Sequence, residues 1–203
     1  MNLFDSQRKD SSLPPFTVEY RNETAADQLA QHLAQRILLK TQRDDIVILC
    51  IGTDRSTGDA LGPLVGSKLK ARTHHLLHVY GTLEEPVHAM NLREKLDEIN
   101  RTHPQALLIA IDACLGQFSN VGNINVADGP LKPGAGVKKD LPSVGTFHIT
   151  GIVNVGGFME YFVLQNTRLY VVMRMAEIIA NALFQAALIV SGDQNKLGTA
   201  LQE

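Results

Sequence analysis

The chain has no tryptophan, two cysteines and aromatic residues at 5% of its 203 positions. Two cysteines exclude a disulfide framework, and their spacing fits no zinc pattern. Cys50 and Cys114 both lie in or beside apolar runs, so two buried reduced thiols are expected, with a disulfide or redox pair as the lesser reading. A chain of this length buries roughly 70% of its unfolded surface and folds without such staples. Excess charge is also missing. The formal net charge is −2, which gives no reason to expect nucleic acid or an anionic membrane as partner. The opening MNLFDSQRKDSS lacks the apolar core of a signal peptide, and a cytoplasmic setting is expected.

One segment, 169–190, is long and apolar enough to raise the question of a membrane span. Arg174, Glu177, Asn181 and Gln185 recur within it on one helix face. Charge near the centre of a bilayer helix costs about 2.5–3.5 kcal/mol per residue. A core helix with one polar stripe is therefore expected. Phosphate-binding loops are absent too. GTDRSTG places five residues between Gly52 and Gly58 and has no following Lys-Ser/Thr, so it is no Walker A loop. It also fails the dinucleotide spacing. Ser56 and Ser143 lack a nucleophile-elbow context, and Cys114 lacks a cysteine-protease signature.

What is present is an alternation of strands and helices. FTVEY at 16–20 reads as an edge strand, and apolar positions Ala26, Leu29, Leu33 and Ile37 mark a helix over 24–40, with Thr24 and Asp27 in a capping arrangement. Strands are expected at 46–51, 76–81 and 106–112, with helices at 60–71 and 89–101 between them. This order indicates an α/β fold with a mostly parallel sheet. The unbroken apolar runs indicate strands covered on both faces. After Asp112 the glycine- and proline-rich stretch to Gly145 predicts turns and a hairpin. A strand over 146–155, interrupted at Gly151, a short helix to Gln165 and the long 169–190 helix complete the domain. Residues 1–14 read as a flexible lead-in, 15–190 as a single domain and 191–203 as a polar tail.

Ligands of open parallel sheets collect beyond the carboxyl ends of the strands. Asp54, Asp59 and Asp112 follow two such ends. Asp59 precedes a helical pattern with Pro63 in its first turn, so it reads either as an N-cap worth about 1 kcal/mol or as a functional carboxylate. Asp112 reads as a turn residue or as its partner. Two carboxylates within a few ångströms do not both ionise easily, and such a pair can share a proton. His148, in an apolar strand, reads as a hydrogen-bonded structural residue or as the third ligand of a divalent metal beside the two aspartates. Lys138 and Lys139 occupy a loop that reads as solvated, or as a rim that binds a polar or peptide substrate.

GTDRSTGDALGP, AIDACLG, KPGAGVKKDLPSVG and ITGIVNVGGFMEYFVLQNTRL together resemble the YyaC family of sporulation proteins over about residues 20–190. That family is similar to the germination protease of bacterial spores and, more distantly, to hydrogenase maturation proteases. The resemblance implies a three-layer α/β/α fold of phosphorylase/hydrolase type. It implies Asp59 and Asp112 as the essential carboxylates, with Asp54, Gly58, Gly116 and His148 in support. It further implies a peptidase acting on a spore protein or peptide in the cytoplasm of the developing spore. Either no cofactor is required or one divalent metal ion is held by Asp59, Asp112 and His148. The rival expectations are a catalytically inactive sporulation protein that binds a partner, and a metal-assisted hydrolase. The apolar final helix leaves room for a homo-oligomer.

Overall fold

The apolar runs become strands because helices and loops cover both of their faces. The structure, a computed structural model, describes residues 13–40, 45–134 and 141–192. The expected lead-in and polar tail fall largely outside these residues, and Lys138 and Lys139 fall wholly outside them. Six strands form one sheet in the order β1-β5-β6-β4-β2-β3: β1 (Phe16–Glu19), β2 (Ile46–Cys50), β3 (Leu77–Tyr80), β4 (Leu107–Gly116), β5 (Asn123–Asp128) and β6 (Phe147–Val155). β3, β2, β4 and β6 run parallel, and β5 pairs antiparallel with β6 and with β1.

The helices are α1 (Ala25–Lys40), α2 (Leu61–Lys70), α3 (Leu92–Thr102), α4 (Glu160–Gln165) and α5 (Leu169–Val190). α1, α2 and α5 cover one face, over a core that includes Ile46, Ile48, Ile109, Ile111, Phe147 and Ile149. The other face buries Val47, Leu49, Ile51 and Ala110 under Leu92 and Ile99 of α3 and Val144. The sheet is thus sandwiched between helical layers, as expected. α5 is long and apolar enough to cross a membrane, but it packs against α1 and α2 and most of it is buried within the fold. Arg174 and Glu177 form an ion pair, and Arg174, Glu177 and Asn181 line a surface groove beside Tyr20–Glu23. Gln185, of the same stripe, is buried.

Three local expectations change. Where Thr24 with Asp27 is expected to cap α1, Asn22 also takes part: its side-chain oxygen accepts from the Thr24 backbone N–H at 3.0 Å. β6 is continuous through Gly151, and the irregularity lies opposite, between Cys114 and Leu115 of β4. β4 does not stop at Asp112. It runs on to Gly116 because β6 continues beside it, pairing Asp112 with Thr150. On its other side β2 ends opposite Ile111, so Asp112 emerges where one neighbouring strand has finished.

α2 lies close enough to the end of β2 that side chains do not fit between them. A Cβ on Gly62 would overlap the Ile51 carbonyl oxygen, and one on Gly52 would overlap the Asp59 carbonyl oxygen. Gly52 has φ +144°, a conformation that disfavours any side chain. Its neighbour Thr53 donates its backbone N–H to the Asp59 carbonyl at 3.1 Å, closing the loop. Gly62→Ala therefore overpacks a backbone contact that cannot yield. It should lower stability by about 1–3 kcal/mol in urea unfolding, whereas an unchanged midpoint would show that the seat is loose.

Candidate active site

Asp59 is not the N-cap of α2. It sits in the middle of a 3-10 turn, Gly58–Ala60, and Ala60 occupies the cap position without any side-chain cap bond. The structural alternative for this carboxylate therefore falls away, and its side chain is free of that duty. The turn lies over the end of β2 and touches β4 and α4. Gly58 is buried there because α4 closes over it, with Leu164 and Thr167 occupying the space a Cβ would need. Gly116 is packed likewise, against Ile152 of β6. Both glycines serve close approach within the protein.

Asp112 is 7% exposed, and Asp59 is half-buried. Burial pushes the Asp112 carboxyl well above the ordinary carboxylate range, and the negative charge of Asp59 pushes it further. The Ala113 backbone N–H, at 2.8 Å, and the Gly134 backbone N–H oppose the shift but do not cancel it. Burial also raises Asp59, against the pull of His88 toward the ionised form. The two aspartates therefore share one poorly solvated place beyond the sheet edge. The deeper member is the harder of the two to ionise, and the shallower one has a basic neighbour.

His88 is the residue the sequence reading overlooked. It follows Val87, which bridges to Ile51 in parallel and accepts from the Gly52 backbone N–H at 2.8 Å through its carbonyl. A loop thereby extends the sheet past β3 and brings His88 beside the Asp59 turn. Its Nδ1 accepts from the Met90 backbone N–H at 3.3 Å, which orients the ring. The only trace in the sequence is a histidine one residue after the apolar Val87.

His148 does not join the aspartates. Ala110 and His148 are register partners, as are Asp112 and Thr150. His148 thus shares a face with Asp112 but lies about 7 Å back toward the strand start. Its Nδ1 donates to the Gly129 carbonyl at 2.9 Å. Among the described residues the Asp59, Asp112 and His148 donors do not gather as a three-ligand set. The expected metal triad does not fit, and no step below uses it. Asp54 is exposed in a turn, with Thr53 Oγ1 3.5 Å from its Oδ1. Cys114, beside Asp112, is pushed up to about 11 by burial, against a hydrogen bond with Thr150 that pulls it down. It is a neutral thiol at pH 7 rather than a nucleophile. Ser56 Oγ is buried in the same loop without a hydrogen-bond partner.

Residues 17–182 match the family described as "Protein of unknown function (DUF1256)". The chain belongs to that family. "Uncharacterized protein YyaC" of Bacillus subtilis (strain 168) is 54% identical over 181 residues, 89% of this chain and 86% of that protein. The resemblance of the quoted segments to the YyaC family is thereby borne out. A crystal structure of the [NiFe] hydrogenase maturation protease HycI from Thermococcus kodakarensis KOD1 is similar at 21% identity and a TM-score of 0.46. The match covers 71% of this chain and 95% of that one.

The carboxyl pair of this DUF1256 protein should register in its stability. Asp112 has a folded pKa above its unfolded value, so the native state binds the extra proton. That contribution is complete below the ordinary carboxylate pKa and is lost as pH rises through the raised folded value. Asp112→Asn removes the loss. The thermal midpoint at neutral pH should rise by about 2–4 °C and its decline with pH should flatten. A lower midpoint with an unchanged slope would mean Asp112 carries no such burden.

Proposed function

We propose that the chain is a peptidase in which Asp59 and Asp112 activate water for hydrolysis of a peptide bond. The supporting observation is the electrostatic coupling of two carboxyls in a poorly solvated site at the sheet edge. In this reading ionised Asp59, held toward that form by His88, takes a proton from the attacking water. Protonated Asp112 donates to the carbonyl oxygen as negative charge develops there. The proton then held by Asp59 goes to the leaving amine, and as the C–N bond breaks Asp112 takes back a proton from the collapsing diol, which restores both groups. The two roles require opposite protonation states, which the difference in burial and the neighbouring His88 favour.

The surface beside the site supports a peptide substrate. α4 packs on the Asp59 turn, yet Phe158, Tyr161 and Phe162 remain exposed at 83%, 72% and 55%. Aromatic side chains left in water beside a polar site are expected at a surface that binds extended chain. Met159 at φ +52° turns the chain into α4 and is exposed with them. Following the family resemblance, the substrate is a spore protein of the small acid-soluble kind. The setting is the cytoplasm of the developing spore.

Incubating the purified protein with small acid-soluble spore proteins and following cleavage by mass spectrometry tests this reading. Asp59→Asn and Asp112→Asn should each lose about 100-fold or more in turnover. Equal turnover by all three proteins would remove the pair from the chemistry. Tight capture of a spore protein without cleavage would favour a binding protein instead.

A further inference from the structure

A second group of chemically capable residues lies at the other end of the sheet. Asp45 directly precedes β2, His78 is the second residue of β3, and His103 caps the C-terminus of α3. β2 and β3 are parallel with Val47 opposite His78, so all three residues gather where these strands begin, on the α3 side. One donor atom from each lies within 4.8 Å of the other two. His78 Nε2 is 3.0 Å from Asp45 Oδ1, and His103 Nδ1 is 4.0 Å from Asp45 Oδ2. The two imidazoles are stacked at 4.2 Å between ring centroids with a tilt of 37°.

The backbone holds this arrangement in place. Leu107 donates its N–H to the Asp45 carbonyl at 3.0 Å, His103 donates its own to Ile99 at 2.7 Å, and Ala106 donates to the His103 carbonyl at 3.2 Å. Tyr80 packs edge-on against the His103 ring. The ligand-bearing positions therefore belong to the frame of the fold, and the Asp45 side chain is 55% exposed.

We propose that Asp45, His78 and His103 form a site for a divalent ion of the zinc, cobalt and nickel kind. Two imidazoles and one carboxylate favour these borderline ions over magnesium or calcium, which take oxygen ligands. Zinc with ligands at about 2.0–2.1 Å in tetrahedral geometry needs donors about 3.3 Å apart. The Asp45–His78 pair, at 3.0 Å, is already near that spacing, and the His103 ring, with its donor within 4.8 Å of the other two, closes the set by a side-chain adjustment of its own. The carbonyl end of α3 adds a negative potential that favours a cation. The fourth position opens to solvent, so the ion carries a water. The ion joins the start of β2 and β3 to the end of α3 and thereby stabilises the sheet edge. The site is separate from Asp59 and Asp112, which lie beyond the opposite ends of the strands.

The test is titration of chelator-treated full chain with zinc and with cobalt. The wild type should bind about one ion per chain. Cobalt should give visible d–d absorption bands, and zinc at a hundred times its dissociation constant should raise the thermal midpoint by about 5 °C or more. His78→Ala, His103→Ala and Asp45→Asn should each lose the cobalt bands and the thermal shift. Asp112→Asn and His75→Ala should keep both. Absence of binding by the wild type, or bands that survive in His78→Ala and His103→Ala, would overturn the assignment. Loss of the bands in Asp112→Asn alone would place the ion at the other site and overturn it equally.

Discussion

Two carboxyl groups brought together where water is scarce are the constraint around which this fold is arranged. Ionising both is unfavourable, and moving them apart would mean dismantling the junction of β2, β4 and α2. The protein therefore keeps a group of raised pKa in its interior, a cost that its packing must offset. Natural structures tolerate such costs chiefly at sites of binding and chemistry.

Backbone contact makes the proximity unavoidable. Gly52 and Gly62 let α2 settle on the end of β2 with no side chain between, and the Asp59 turn is carried over the sheet edge with it. β4 supplies the second carboxyl at Asp112, one residue beyond Ile111, the last of its residues to pair with β2. α4 closes the turn from above through Leu164 and Thr167. The same elements that bury Asp112 thus determine how far water can reach it.

Much of this was legible in the chain. The alternation of apolar runs with 3.6-residue patterns predicts the α/β sandwich, because that pattern reflects local burial. Asp59 and Asp112 stand out because they follow the apolar runs that become β2 and β4. What was not legible depends on contacts distant in sequence. Asp112 reads as the end of a strand because a sequence does not show that β6 continues beside it. Asp59 reads as a cap because a 3-10 turn and an N-cap look alike on paper. His88 enters through a loop that pairs with Ile51. Arg36, which no pattern in the sequence singles out, is fully buried, pairing with Asp128 and donating to the Pro14 carbonyl at 2.9 Å. Its partners lie in segments no local pattern links. The Asp45, His78 and His103 group is invisible for the same reason.

The most direct measurement is the titration of the individual aspartate side chains by carbon-13 NMR of carboxyl-labelled protein, in the wild type and in Asp59→Asn. The account predicts that Asp112 stays protonated well above the ordinary carboxylate range in the wild type. It also predicts that the midpoint moves down once the neighbouring charge is removed, while burial keeps part of the shift. An Asp112 that titrates as an ordinary carboxylate, or whose midpoint ignores residue 59, would contradict it.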